Sequence, residues 1–206
     1  MSRYLRLSLA FSIVIFMFAA CSPYKLVINE ADTGRQISPP LQIETGDRVM
    51  YRTNIEIFRN NLSGLLVIVN ADSLYKTGFV SEIGIKYFDM IIKDDGYEVV
   101  YCMEALDRKP VMNRIARSLK YILDDPAGFD GDFYTGDNND LIYRAEDNEG
   151  WERIYHIENN KVESIEGRRF LRKRILVNGL YNDEKQPENI IFLHKGFRMK
   201  IEMRKL

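Results

Sequence analysis

From Tyr51 onward the chain places apolar residues at every second position. Tyr51, Thr53, Ile55 and Ile57 alternate with Arg52, Asn54 and Glu56, which puts the two sets on opposite faces of a β-strand. Leu65-Leu66-Val67-Ile68-Val69 is an unbroken apolar run closed by Asn70-Ala71-Asp72, and it predicts a strand buried on both faces. The turn before it is expected at Asn60-Asn61. Further strands are predicted over 76–81 and 85–92, and Asp94-Asp95-Gly96 is a tight-hairpin signal. Tyr97, Val99, Tyr101 and Met103 then alternate with their neighbours. Over 110–123 the period changes. Val111, Met112, Ile115, Ala116, Leu119, Ile122 and Leu123 recur at three-to-four spacing, which predicts an amphipathic helix with Arg114, Arg117 and Lys120 off the apolar stripe. Pro110 suits its first turn, and Asp124-Asp125-Pro126 stops it. A loop rich in Asp, Asn and Gly is expected over 125–140. Strand patterns resume at 141–145, 151–157, 161–166, 172–177, 190–194 and 197–203.

A meander, one helix and a second meander make a mainly β (α+β) fold of roughly ten strands, a number at which an open sheet must curl. The expected architecture is a curved antiparallel sheet forming an unclosed barrel, with the inserted amphipathic helix on its concave side.

The first twenty residues read differently. Arg3 and Arg6 precede an apolar run over 7–20 that ends in Ala19-Ala20. This is the layout of a secretory signal, and at about 14 residues the run is shorter than the ~20 a spanning helix needs. The sequence Phe18-Ala19-Ala20-Cys21 resembles the lipobox of bacterial lipoproteins, with Phe18 where Leu is usual. The resemblance implies that Cys21 becomes the mature first residue, thioether-linked to diacylglycerol. Acyl chains there would hold the protein on a bilayer, each buried CH₂ contributing about 0.8 kcal/mol. Ser22, rather than Asp, at the next position implies the outer membrane, and the absence of an acidic cluster at 23–26 implies a periplasm-facing protein. The chain thus divides into a signal peptide (1–20), a lipidated N-terminus and tether (21–47), and one β domain (48–206).

Composition narrows the function. The 206 residues include 29 Lys+Arg against 30 Asp+Glu, a net charge of −1, which lacks the basic field of a general nucleic-acid binder. Loss of the signal peptide removes Arg3 and Arg6 and leaves 27 basic and 30 acidic residues, net −3. Two cysteines are too few for a disulfide-rich framework; Cys102 could not pair with the lipidated Cys21 that the resemblance implies, and it reads as a small buried hydrophobe.

Several short segments resemble the LolA/LolB group of periplasmic lipoprotein carriers. Asn61-Leu62-Ser63-Gly64-Leu65-Leu66-Val67 is similar to their early strand, and 77–89 is similar to a segment of LolB-like lipoproteins of Bacteroidetes. The closing run over 190–206 fits their final hairpin. The resemblance covers 48–206 in layout. It implies a half-barrel whose apolar interior, lidded by helices, accepts acyl chains, and an exposed apolar loop tip that meets membrane, for which Leu74-Tyr75 is the nearest match. Tyr51, Ile55, Leu66, Phe88, Tyr101, Met112, Ile115, Leu119, Trp151 and Phe192 are the expected cavity wall.

Other chemistry finds weaker support. The carboxylates of the 125–140 loop fail an EF-hand pattern at the third ligand, so they read as a solvated turn. His156 and His194 have no partners at metal-ligand spacing, and Ser63 and Ser81 sit in no nucleophile elbow. The methionines Met90, Met103, Met112, Met199 and Met203 suit either an adaptable pocket or ordinary core. The basic run Arg168, Arg169, Arg172, Lys173, Arg174 fits either a solvated strand face paired with glutamates or a surface for lipid phosphates. The expected function is non-enzymatic, with no catalytic residue, metal or cofactor. It is that of a monomeric, outer-membrane-anchored lipoprotein that binds acyl chains of a lipid or lipidated protein for transfer or insertion. The alternative is an accessory or assembly lipoprotein that binds a protein partner and has no lipid cavity.

Overall fold

The computed structural model describes residues 27–28, 37–135, 140–159, 161–170, 172–180 and 186–206. Strands β2 (Arg48–Ile57), β3 (Asn60–Asn70), β4 (Tyr75–Val80), β5 (Lys86–Lys93) and β6 (Gly96–Cys102) form a first antiparallel meander. Helix α1 (Lys109–Leu123) follows. The second meander runs through β7 (Gly131–Thr135), β8 (Leu141–Glu146), β9 (Glu152–Glu158), β10 (Lys161–Arg169), β11 (Arg172–Asn178), β12 (Asn189–His194) and β13 (Met199–Lys205). The short strand β1 (Val27–Ile28) pairs with β7. The sheet order is β1-β7-β8-β9-β10-β11-β12-β13-β2-β3-β4-β5-β6. The order ends in two unpaired edges, β1 and β6, so the sheet is not closed into a barrel. The two meanders are joined where the last strand returns beside the first long one, with Met199 opposite Ile57 and Ile201 opposite Ile55.

Alternation decides which face is buried. Val49, Tyr51, Thr53, Ile55 and Ile57 are buried on β2, and their cross-strand partners Leu66, Ile68, Ile201 and Met203 are buried with them. The face continues through Phe79, Phe88, Met90, Phe192 and Val177. Against it the helix sets Val111, Met112, Ile115, Ala116, Leu119, Tyr121, Ile122 and Leu123. Each such large apolar side chain taken from water contributes about 1.5–3 kcal/mol. Pro110 stands in the first turn and Asp124 caps the last, its N–H on the Lys120 carbonyl. Asp125 is extended before Pro126, as the residue preceding a proline prefers.

The structure corrects four expectations. The β2–β3 turn is Phe58-Arg59, not Asn60-Asn61. Phe58 takes a φ of 55° there, its N–H bonds the Arg198 carbonyl at 2.9 Å, and its ring meets Phe197 edge-on at 4.9 Å. The 125–140 loop contains a strand, β7, because Phe133 stacks on Tyr143 of β8 at 4.9 Å within an otherwise polar stretch. Residues 37–47, assigned to the tether, join the domain. Ile37, Leu41 and Ile43 are buried in the core, and the Leu41 N–H satisfies the Ile122 carbonyl at 2.9 Å, one of the acceptors a helix end leaves open. The sheet therefore has thirteen strands where about ten were expected.

Candidate functional site

Of the ten residues expected to wall a cavity, eight meet in one core. Tyr51, Ile55, Leu66, Phe88, Met112, Ile115, Leu119 and Phe192 are each at most 3% exposed and belong to a single packed cluster. The Tyr51 hydroxyl donates to the Pro187 carbonyl at 3.0 Å, and burial pushes its pKa up. Tyr101 is a correction. It lies on the edge strand β6, beyond a register shift at Asp89/Met90, and is 45% exposed. Trp151 lies at the β8–β9 turn, half-buried, on the cleft described below. Leu74 and Tyr75 are both half-buried, because Tyr75 already belongs to β4 and pairs with Ile92. The β4–β5 turn carries a more exposed apolar side chain, Ile83 at 84%. Cys21, Ser22 and the signal peptide lie outside the described residues.

A cleft of about 400 Å³ opens where the polar flank of α1 faces β11 and the turns beside it. Asn113, Arg114 and Arg117 enter it from the helix. Trp151 comes from the β8–β9 turn, Arg169 from the end of β10, Phe170 from the β10–β11 turn, and Arg174 and Ile175 from β11. His194, Lys195 and Gly196 close it at the end of β12. Phe170 holds a φ of 52° and is exposed. A bulky residue in that conformation is uncommon and is found preferentially at binding sites.

The cleft is cationic. The Arg117 guanidinium stacks 4.0 Å from the Trp151 ring centroid and pairs with Glu149. Arg169 lies 5.4 Å from both the Trp151 and Phe170 rings. Arg114 lies 3.6 Å over Phe197 and donates to the Pro110 carbonyl. Burial and the neighbouring charges of Arg117 and Arg174 lower the pKa of Arg114. His194 is lowered to about 4 by burial first, then by Arg114 and Arg117. Its Nε2 lies 2.8 Å from Ser118 Oγ, whose own hydroxyl donates to the Arg114 carbonyl at 2.8 Å. The histidine therefore donates to the serine rather than taking its proton. With Ser118 fully buried, the pair braces the helix on β12 and is no activated nucleophile.

The basic run of the sequence divides between two surroundings. Arg168 and Lys173, cross-strand partners, both bind Glu166, which is the glutamate-paired strand face. Arg169 and Arg174 turn to the cleft. Sequence reasoning placed Arg114 and Arg117 only on the polar flank of the helix and did not single out Lys195. Their spacing gives the flank, but its neighbours come from three separate turns.

Next to the cleft, the end of the helix is tied down by buried charge. Arg153 is 2% exposed and binds Asp124 at 2.8 Å and Asp147 at 3.1 Å. Lys120 donates to the Lys93 and Asp94 carbonyls, both at 2.8 Å, and pairs with Asp124 at 3.5 Å. Tyr97 donates to Asn113 Oδ1, and Cys102 contacts Met112. The helix thus touches β5–β6 at one edge of the sheet and β9–β12 in the other meander. His156 lies 4.0 Å from Glu166 and is partly exposed. Among the described residues, no three His, Cys, Asp or Glu side chains come together as a metal site, and no helix is long and apolar enough to cross a membrane.

No protein-family model matches the chain, and no curated protein matches it. A solved structure of a DUF1329 family protein from Desulfovibrio piger is similar to it at 7% identity and a TM-score of 0.46, over 79% of this chain and 85% of that one.

Proposed function

We propose that the protein is a non-enzymatic lipoprotein, anchored through Cys21 to the periplasmic face of the outer membrane, that binds an amphiphile at the contact between α1 and the sheet. The ligand class is a lipid or the lipid part of a lipidated protein, bound for transfer or insertion as in the LolB-like carriers the sequence resembles. In this reading the sheet curls around the helix, which fills its concave side. Lys120 and Asp124, one helical turn apart, support the curl: they reach the β5–β6 turn and β9 respectively. Those strands would stand about 40 Å apart in a flat sheet, beyond the span of two side chains. The observation that carries the ligand is the cleft itself, where Trp151, Phe170 and Ile175 offer an apolar wall beside hydrogen-bond donors.

A photoactivatable fatty-acyl probe, cross-linked to the full-length chain in a maltoside detergent, tests this. Cross-links are expected in 111–123 and 169–175. Labelling confined to the exposed tip at 81–86 would overturn the reading. The close packing of α1 favours a second reading, a protein-binding accessory lipoprotein with no lipid cavity. An absence of cross-links throughout 37–206 would select it.

A further inference from the structure

We propose that the cleft is a receptor for a phosphate-type oxyanion, carried as the head of the amphiphile whose apolar part rests on Trp151 and Phe170. This rests on the amphiphile reading for the apolar part alone. The anion site is argued from four observations.

The first is charge. Arg114, Arg117, Arg169, Arg174 and Lys195 converge from a helix, two strands and a turn. Arg117 has Glu149, whereas no carboxylate pairs with Arg114, Arg169, Arg174 or Lys195 among the described residues. A solvated basic face pairs its cations with nearby acids, as Arg168 and Lys173 do on Glu166. Second, donors are left over. Arg117 Nη1 and Trp151 Nε1 are buried and have no acceptor. A buried donor without a partner is costly, and an acceptor bound in the cleft beside these two side chains would offset that cost. Asn113 adds its amide N–H₂, since its Oδ1 already accepts from Tyr97. Third, the cations hold one another at a cost. Burial first, and the basic neighbours after it, lower the proton affinity of both Arg114 and His194, and a bound anion would relieve the second of these. Fourth, geometry selects the anion. Planar guanidinium forks from several directions match the three free oxygens of a phosphate monoester better than a planar carboxylate. Arg117 and Arg169 on the Trp151 ring are preoriented by stacking. The cleft, at about 400 Å³, holds a phosphate together with a few carbons of what bears it.

Trp151 is the only tryptophan of the chain, so its emission reports on the site directly. The full-length protein in a phosphate-free maltoside detergent is titrated with three probes: dioctanoyl-phosphatidic acid, dioctanoylglycerol and inorganic phosphate. The phosphatidic acid is expected to change Trp151 emission at a concentration about tenfold or more below that of either other probe, as an added charge-assisted contact requires. The double variant R169Q/R174Q, at exposed and half-exposed positions, is expected to weaken it about tenfold while the thermal midpoint holds. K195Q, in an exposed turn, gives a smaller loss and stands in if the double variant misfolds. Inorganic phosphate binding as well as phosphatidic acid would keep the oxyanion site and overturn its amphiphilic carrier. Dioctanoylglycerol binding equally well, with the variants without effect, would overturn the oxyanion site and keep the amphiphile. No response to any probe would overturn both.

Discussion

His194 shows how a single side chain links the cleft to stability. Its ring is buried and donates to Ser118. Arg114 and Arg117 face it from α1, and Arg174 and Lys195 border the same cleft from β11 and the β12–β13 turn. A proton added to it would meet neither water nor a counter-charge. In the unfolded chain it titrates near 6.5, and in the fold near 4. The unfolded state therefore binds more protons between those values, and the histidine's contribution is complete above pH 6.5 and is lost as pH falls toward 4. The expected loss is about 3 kcal/mol. Measured as stability against pH, the difference between wild type and H194Q should shrink over that window and stay constant above it. Parallel curves would show that the imidazole is not held neutral by its surroundings.

The helix shows what was legible and what was not. Its limits and its apolar stripe are written in the three-to-four spacing of Val111 to Leu123 and in the flanking prolines, and the strand faces likewise follow alternation. Local pattern carries that far because burial of one face rewards it directly. It misplaces Lys120, an off-stripe cation by spacing, which is buried because two backbone carbonyls at the β5–β6 turn receive its ammonium. It misses β7, where only Phe133 and Tyr134 interrupt an acidic stretch. It cannot assemble the cleft, since Trp151, Phe170 and Lys195 sit in three turns that only the sheet order brings together. The docking of α1 also depends on an absence. Gly167 leaves room for the Tyr121 hydroxyl, which a Cβ at that position would overlap along with the ring carbon beneath it. Gly167 also adjoins the β10–β11 register shift. G167A is expected to cost about 1–3 kcal/mol by overpacking and to speed amide exchange over 117–123. Removing the hydroxyl with Y121F should recover part of that loss. The Tyr121 hydroxyl has no hydrogen-bond partner, so Y121F alone should be nearly neutral. An unrecovered double variant would place the clash elsewhere.

At the scale of the molecule, two meanders share one seam. β13 and β2 are the last and the first long strands, and their pairing sets Ile201 against Ile55 and Met199 against Ile57, all buried. Along the sheet no other strand pair among the described residues connects the halves. Off the sheet α1 bridges them, through Lys120 toward β5–β6 and through Asp124 and Ser118 toward β9 and β12, and the Tyr51 hydroxyl of β2 reaches the Pro187 carbonyl before β12. Seam and helix bury the same apolar face, so loss of either exposes the other to water. The halves should therefore melt together, although each is a contiguous stretch of chain that could form locally. Each half carries its own probe. Cys102, a half-buried free thiol, ends β6, and Trp151 stands at the β8–β9 turn. I201A is expected to destabilise by about 2–5 kcal/mol and to move thiol labelling and Trp151 emission to the same lower midpoint, as a two-state transition requires. If Trp151 reported unfolding while Cys102 remained protected, the meanders would be separate cooperative units. The buried bonds of α1 could not then be what couples them.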